Sequence, residues 1–173
     1  SRISRKKNLL YGLKVLKKVD NVNIIFDIYG TKEDMGYWTE CHKVIKEFNH
    51  LKIVFKGPVK PIDIPKVLNQ YHLFFLPTKN ENFGHAIVES MQSGLIPLIS
   101  DQTPWNDLER YNAGYSLNLV KKDVFVKAIN CVLDYNQEDF LEKSNNVKRY
   151  IDEKLDYEAS VNKYIEMFSG LSK

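Results

Sequence analysis

Short, unbroken apolar runs alternate with stretches of helical periodicity along most of this chain, and that alternation leaves few folds open. The runs are Val22 to Tyr29, ending at Gly30, then Leu51 to Phe55, stopping at Gly57-Pro58, then Leu73 to Leu76, Leu95 to Ser100 and Tyr115 to Leu119. Each is short and rich in β-branched or aromatic residues, the signature of a strand. Between them lie helical patterns at Lys7 to Val19, with Leu9, Leu10, Leu13, Leu16 and Val19 on one stripe, at Asp34 to Phe48, and at Ile64 to Tyr71 with Pro65 in the first turn. Further helices are expected after Gly84, at Trp105 to Tyr111, at Val124 to Leu133, and over residues 138–168 in two pieces that meet near Asp156. Strands that are apolar throughout, rather than every second residue, are covered on both faces. The pattern therefore predicts a doubly wound, mostly parallel α/β sheet with helices on both faces. Pro97 falls inside one run, so that strand should be short or slightly irregular there. A helix opens the chain where the alternation asks for a strand just before Arg2, so the first strand is expected upstream, in a longer protein.

With 173 residues and 43% hydrophobic content, residues 1–173 suffice for one well-packed domain. The net charge of +3 is mild and the lysines are interspersed with acids, which argues against nucleic acid as a partner. Lys6, Lys7, Lys14, Lys17 and Lys18 make the first helix basic, suited to a solvated face, a phosphate or an anionic membrane surface. Cys41 and Cys131 lie far apart in helical patterns with no ligand partners at metal spacing, and read as reduced thiols of a cytosolic protein. No signal peptide is expected, and no apolar run nears the roughly 18 residues that cross a bilayer. Peripheral association with the inner face of the cell membrane stays open.

The chemistry concentrates at Glu81-Asn82-Phe83-Gly84-His85-Ala86-Ile87-Val88-Glu89, directly after Leu73 to Pro77. A strand that ends in a Gly-containing turn and opens a helix turns backbone N–H groups and a positive helix end toward whatever lies above it, which suits a phosphate or diphosphate. Carboxylates at the rim and inside the helix can bond sugar hydroxyls on either side of that phosphate. The plainer reading makes Glu81 a loop charge and Glu89 a solvated position opposite Ile87, Val88 and Met91. Ligands of such sheets bind at the carboxyl ends of the strands, here the loops after Tyr29, Phe55, Leu76 and Ser100.

Three segments, in order, carry a resemblance: Arg2-Ile3-Ser4-Arg5-Lys6-Lys7, Phe55-Lys56-Gly57, and Leu76-Pro77-Thr78 with the E-x7-E block Glu81 to Glu89 and the following Gly94-Leu95-Ile96-Pro97. Together they resemble the carboxy-terminal, nucleotide-sugar-binding domain of retaining glycosyltransferases with the GT-B fold, of the group 1 or family 4 type, whose domains are Rossmann-like. The resemblance implies that Arg2 and Lys7 contact the donor diphosphate and stabilise the leaving nucleoside diphosphate. It implies that Glu81 meets hydroxyls of the transferred sugar, Glu89 holds the ribose, and Gly57 lies beside the base. Asn82, Phe83, Gly84 and His85 would line phosphate and sugar, with Gly84 allowing close approach. His85 equally suits a structural hydrogen bond, Thr78 suits a cap, and Trp105 suits an aromatic anchor for its loop.

Two fixed cations and a helix amino terminus can stabilise a departing diphosphate without a metal, so no cofactor and no metal are expected, only a UDP- or GDP-sugar as donor. The implied activity is transfer of a hexosyl unit, with retention, to a saccharide or lipid-linked acceptor in cell-surface polysaccharide or lipopolysaccharide synthesis. This sequence departs from the pattern at Asn8, which stands where a glycine often follows the lysine, and in lacking the amino-terminal α/β domain that binds the acceptor. Alone, such a domain is expected to bind nucleotide and hardly catalyse. Two other readings share the scaffold: a GT-B epimerase or phosphorylase, against which the E-x7-E block argues, and a non-catalytic interaction domain.

Overall fold

The computed structural model describes residues 1–20 and 23–155. The expected start of the first strand at Val22 and the last helical piece beyond Asp156 lie outside these residues. Helix α1 is Leu9–Leu16, β1 Ile25–Tyr29, α2 Met35–Ile45, β2 Lys52–Gly57, α3 Ile64–Leu68, β3 Leu73–Leu76 and α4 His85–Gln92. Then follow β4 Ile96–Ser100, a 3-10 turn at Leu108–Tyr111, β5 Tyr115–Leu117, α5 Lys122–Leu133 and α6 Gln137–Lys154.

All strand pairs are parallel, but they form two ladders, β1 with β2 and β3-β4-β5. The sheet expected as continuous is therefore interrupted between β1 and β3. Side-chain alternation sends β-strand residues to opposite faces. Phe26, Phe75 and Leu98 pack with Val15 and Leu16 of α1 and with Phe125 of α5, while Ile28 packs with Leu13 and with Tyr37, Trp38 and Cys41 of α2. On the other face Phe74, Leu76 and Ile99 meet Ile87, Val88 and Met91 of α4 and Val147, Tyr150 and Ile151 of α6. Helices thus cover both faces, as the continuous apolar runs require. Each fully buried aliphatic side chain of this core, such as Leu13 or Ile87, contributes roughly 1.5–3 kcal/mol.

Pro97 sits in the central strand β4 in regular register with Phe74. The irregularity expected there is absent, and the geometry shows why. Ile96 N–H donates to His72 O on the β3 side, so the ring nitrogen of Pro97 faces the β5 side, where pairing begins only at Leu98 with Tyr115. No ladder bond is lost. Gly114, at φ 138°, makes the close approach that this needs, since a Cβ there would lie 2.6 Å from Pro97 Cγ.

Helix α6 opens with a capping box. Asn136 accepts from Asp139 N–H at 2.9 Å, and Asp139 accepts from Asn136 N–H at 3.3 Å. Asn8 stands at the N-cap position of α1 without a side-chain capping bond, at φ 61° and ψ 36°, a left-handed conformation that glycine and asparagine adopt most readily. The departure at Asn8 is thus conservative in backbone terms.

Candidate functional site

Parallel strands bring the loops after β1, β2, β3 and β4 to one end of the sheet. There the segment before α1 crosses the loop after β3. Lys79 N–H donates to Lys6 O at 2.9 Å, and Thr78 Oγ1 lies 3.1 Å from the same carbonyl. Thr78 is fully buried, its oxygen also 3.1 Å from Asn80 O and 3.5 Å from a Glu81 carboxylate oxygen. Ser100, at the end of β4, donates its hydroxyl to Thr78 O. Thr78 is therefore more than a turn cap: it pins the basic segment against the acidic loop.

Lys7 and Glu81, distant in sequence, form an ion pair in this crossing, with side chains 16% and 8% exposed. Glu81 is also held by its backbone, whose N–H donates to Gln102 O at 2.9 Å. Two side chains this deeply withdrawn from water interact much more strongly than a surface pair, and each needs the other to offset its desolvation.

Beside them α4 begins at Gly84, which sits at φ 82° and ψ 60° with no side chain capping the helix. A Cβ at Gly84 would meet Ile87 Cδ1 at 2.9 Å. The opening N–H groups of α4 thus face the rim, where the helix dipole favours an anion. The Phe83 carbonyl accepts from the Trp105 indole N–H at 2.6 Å, and the Phe83 ring packs edge-on against Trp105 and His85. Trp105 is buried and anchors this loop, as expected of it from sequence. Asn82 and His85 are exposed at the rim, and Glu89 is half-buried.

Arg2, Lys7, Ala86 and Glu89 line one cavity of about 390 Å³ that runs from this rim down between β1 and β3. Ser1 lines the same cavity. Arg2 turns its guanidinium outward to Glu33 at 2.6 Å, so the structure does not set it beside Lys7. Gly57 closes β2 at φ 79°, its carbonyl accepting from Gly30 N–H at 2.9 Å, with open space where a Cβ would stand. Sequence reasoning missed the group behind the site. Tyr150 and Lys154 of α6 donate to Asp107 at 2.6 and 2.7 Å, and the Tyr150 ring packs against Trp105. Contacts across more than forty residues leave no local signal. Among the described residues, no group of three His, Cys, Asp or Glu side chains could hold a metal ion.

This architecture, with helices on both faces of parallel ladders and a rim of charged residues at the strand ends, is one α/β half of the GT-B glycosyltransferase fold. Solved structures share it. HepE of Anabaena in complex with UDP superposes with a TM-score of 0.84 at 20% identity, covering 98% of this chain and 47% of HepE. TarM of Staphylococcus aureus gives 0.77 at 20% identity, with 97% and 34% covered. The pneumococcal O-GlcNAc transferase GtfA, solved with UDP and GlcNAc, gives 0.68 at 20%, with 100% and 35% covered. The chain belongs to the family described as glycosyl transferases group 1, which matches residues 1–154. It spans about half the length, or less, of the solved structures it resembles. No curated protein matches it in sequence.

Proposed function

We propose that this chain is the donor-binding half of a retaining hexosyltransferase that moves a sugar from a nucleoside diphosphate to a saccharide or lipid-linked acceptor. Cell-surface polysaccharide or lipopolysaccharide assembly, at the cytoplasmic face of the membrane, is the setting we assign to it. The observation that carries the reading is the Lys7–Glu81 pair held beside the uncapped start of α4, on one rim with Glu89. Family membership supports the transferase class, and UDP in the HepE and GtfA structures supports a nucleotide-sugar donor.

In this reading the donor diphosphate docks over the N–H groups at the start of α4 and draws the Lys7 ammonium from Glu81. Glu81 then turns its freed oxygens to hydroxyls of the sugar, and Glu89 accepts from the ribose diol. Arg2 leaves Glu33 for the phosphate at small cost, because an exposed ion pair contributes only about 0–1 kcal/mol. Gly57 lies beside the base, and Asn82, Phe83, Gly84 and His85 line the donor. As the bond between sugar and phosphate breaks, charge accumulates on the leaving diphosphate, where Lys7, Arg2 and the helix end stabilise it. That phosphate also receives the acceptor's proton, so no side-chain nucleophile is assigned. The acceptor is held by a second α/β domain across the cleft, without which the chain binds but does not transfer.

Calorimetry of the chain with UDP, GDP and ADP, repeated with Lys7→Ala and Glu89→Ala, tests this. Binding of one nucleotide, weakened at least tenfold by each substitution, is the expected result. Binding that ignores both substitutions, or none by a folded chain joined to its partner domain, favours a non-catalytic interaction domain instead.

A further inference from the structure

Lys7 reaches the rim from a short turn that is anchored on both sides. Ser4 O accepts from Lys7 N–H at 3.1 Å and from Asn8 N–H at 3.3 Å, closing the turn just before α1. Ahead of it, Ile3 is buried with Leu13, Ile28, Tyr37, Trp38 and Cys41, and its N–H donates to Thr31 O at 2.8 Å. Behind it, Leu10 N–H donates to the Tyr37 hydroxyl at 2.8 Å. Tyr37 belongs to α2, so that helix already holds one end of the span. Between the two anchors stands Arg5, and it too is attached to α2.

The Arg5 side chain is 57% exposed, yet its guanidinium meets three groups of α2 at once. Nη2 donates to Glu40 Oε1 at 2.5 Å and Nη1 to Oε2 at 3.5 Å, while Nε lies 3.3 Å from Asp34 Oδ2. The guanidinium carbon stands 5.2 Å from the centre of the Tyr37 ring. Asp34, Tyr37 and Glu40 follow one another at helical spacing, so they share one stripe of α2. Asp34 serves two elements: Oδ1 accepts from Tyr37 N–H at 2.8 Å as the N-cap of α2, and Oδ2 faces Arg5. A planar guanidinium can bond two carboxylates and face a ring in one fixed geometry, which a lysine ammonium cannot reproduce. A lone exposed ion pair contributes little, but a network on one rigid helix fixes the backbone that carries it.

We propose that Arg5 is a positioning residue of the donor site: clamped to Asp34, Glu40 and Tyr37, it fixes the turn from which Lys7 meets Glu81. The proposal rests on the reading of Lys7 as a ligand of the donor diphosphate. The carbonyl next along the chain from Arg5 shows how the clamp acts. Lys6 O accepts from Lys79 N–H at 2.9 Å and lies 3.1 Å from Thr78 Oγ1, so its placement sets how the basic segment crosses the loop that carries Glu81. Lys7 is only 16% exposed, with little room to swing toward a displaced partner. Arg5 itself touches no donor, since Asp34 and Glu40 neutralise its charge on the α2 side. It acts through Lys7.

Arg5→Ala, Arg5→Lys and Glu40→Ala test this, each with and without Lys7→Ala. Amide hydrogen exchange at Lys79 is read without nucleotide, with the amides of β4 as the core reference. Affinity is read by calorimetry for whichever of UDP, GDP and ADP the wild type binds. In Arg5→Ala and Glu40→Ala, exchange at Lys79 is expected to quicken at least about threefold while β4 is unchanged. Nucleotide affinity is expected to fall by a similar factor, and that fall should vanish when Lys7 is already alanine. Arg5→Lys, which keeps the charge without the fork, should recover at most part of both. Glu40→Ala, at an exposed position of α2, decides the matter should Arg5→Ala fail to fold. Unchanged exchange at Lys79 overturns the proposal, as does an affinity loss of equal size with and without Lys7. Faster exchange at Lys79 and β4 together also overturns it, because that marks lost stability and not a displaced turn. No nucleotide binding by a wild type joined to its partner domain, with exchange at Lys79 still dependent on Arg5, overturns the donor-site reading and leaves the clamp standing.

Discussion

At the scale of single residues, the site depends on positions whose backbone is as constrained as their side chains. Gly84 holds a left-handed conformation and stands 2.9 Å, at Cβ distance, from Ile87. Gly84→Ala adds a backbone penalty of roughly 1–2 kcal/mol and a clash with a buried side chain. The loop can relieve that clash only by moving the start of α4. The expected outcome is a loss of about 1–3 kcal/mol in urea unfolding, with nucleotide affinity in calorimetry falling by more than stability alone explains. Loss of stability with unchanged affinity would mean that the α4 terminus is not where the phosphate sits. Trp105 acts on the same loop from behind, since its indole N–H holds Phe83 O.

At the scale of elements, α6 is the brace. It is a markedly polar helix whose buried stripe, Val147, Tyr150 and Ile151, joins the core beneath α4. Its end is tied to the loop after β4 through Asp107. Burial of Asp107 raises its pKa, but hydrogen bonds from Lys154 and Tyr150 outweigh that, and the net shift is downward. The sign follows: a carboxylate with a lowered folded-state pKa binds fewer protons folded than unfolded. Its contribution is complete above the ordinary carboxylate range and is lost as pH falls through the lowered value. Unfolding measured from pH 7 to pH 2.5 should show the wild type more stable than Asp107→Asn at neutral pH, with the difference shrinking below about pH 4. A difference that persists undiminished at pH 2.5 would mean the charge of Asp107 does not hold α6.

At the scale of the whole molecule, the donor-site reading divides the work between two α/β halves, with this one supplying cations and a helix end in place of a metal. On that reading, transfer from a nucleotide sugar should appear only when the acceptor-binding half is present, and should persist in excess EDTA. Abolition by EDTA, with recovery on adding Mg²⁺ or Mn²⁺, would show that Arg2, Lys7 and α4 do not carry the phosphate charge alone. The fold class was legible because hydrophobic periodicity is local: continuous apolar runs such as Leu73 to Leu76, set between helical stripes, specify doubly covered parallel strands whatever lies elsewhere. The candidate site was legible for a related reason, since Glu81, Gly84 and Glu89 fall within one loop and the helix it opens. Other features had no local trace. The Lys7–Glu81 pair, Thr78 beneath it and the Asp107 brace all join residues far apart in the chain. Periodicity and motif spacing dictate which face of each element is buried and which residues crowd one strand end, because those are properties of neighbours along the backbone. Which charges meet and which loop is braced depend on how the elements pack, and only the folded chain brings those groups within reach of one another.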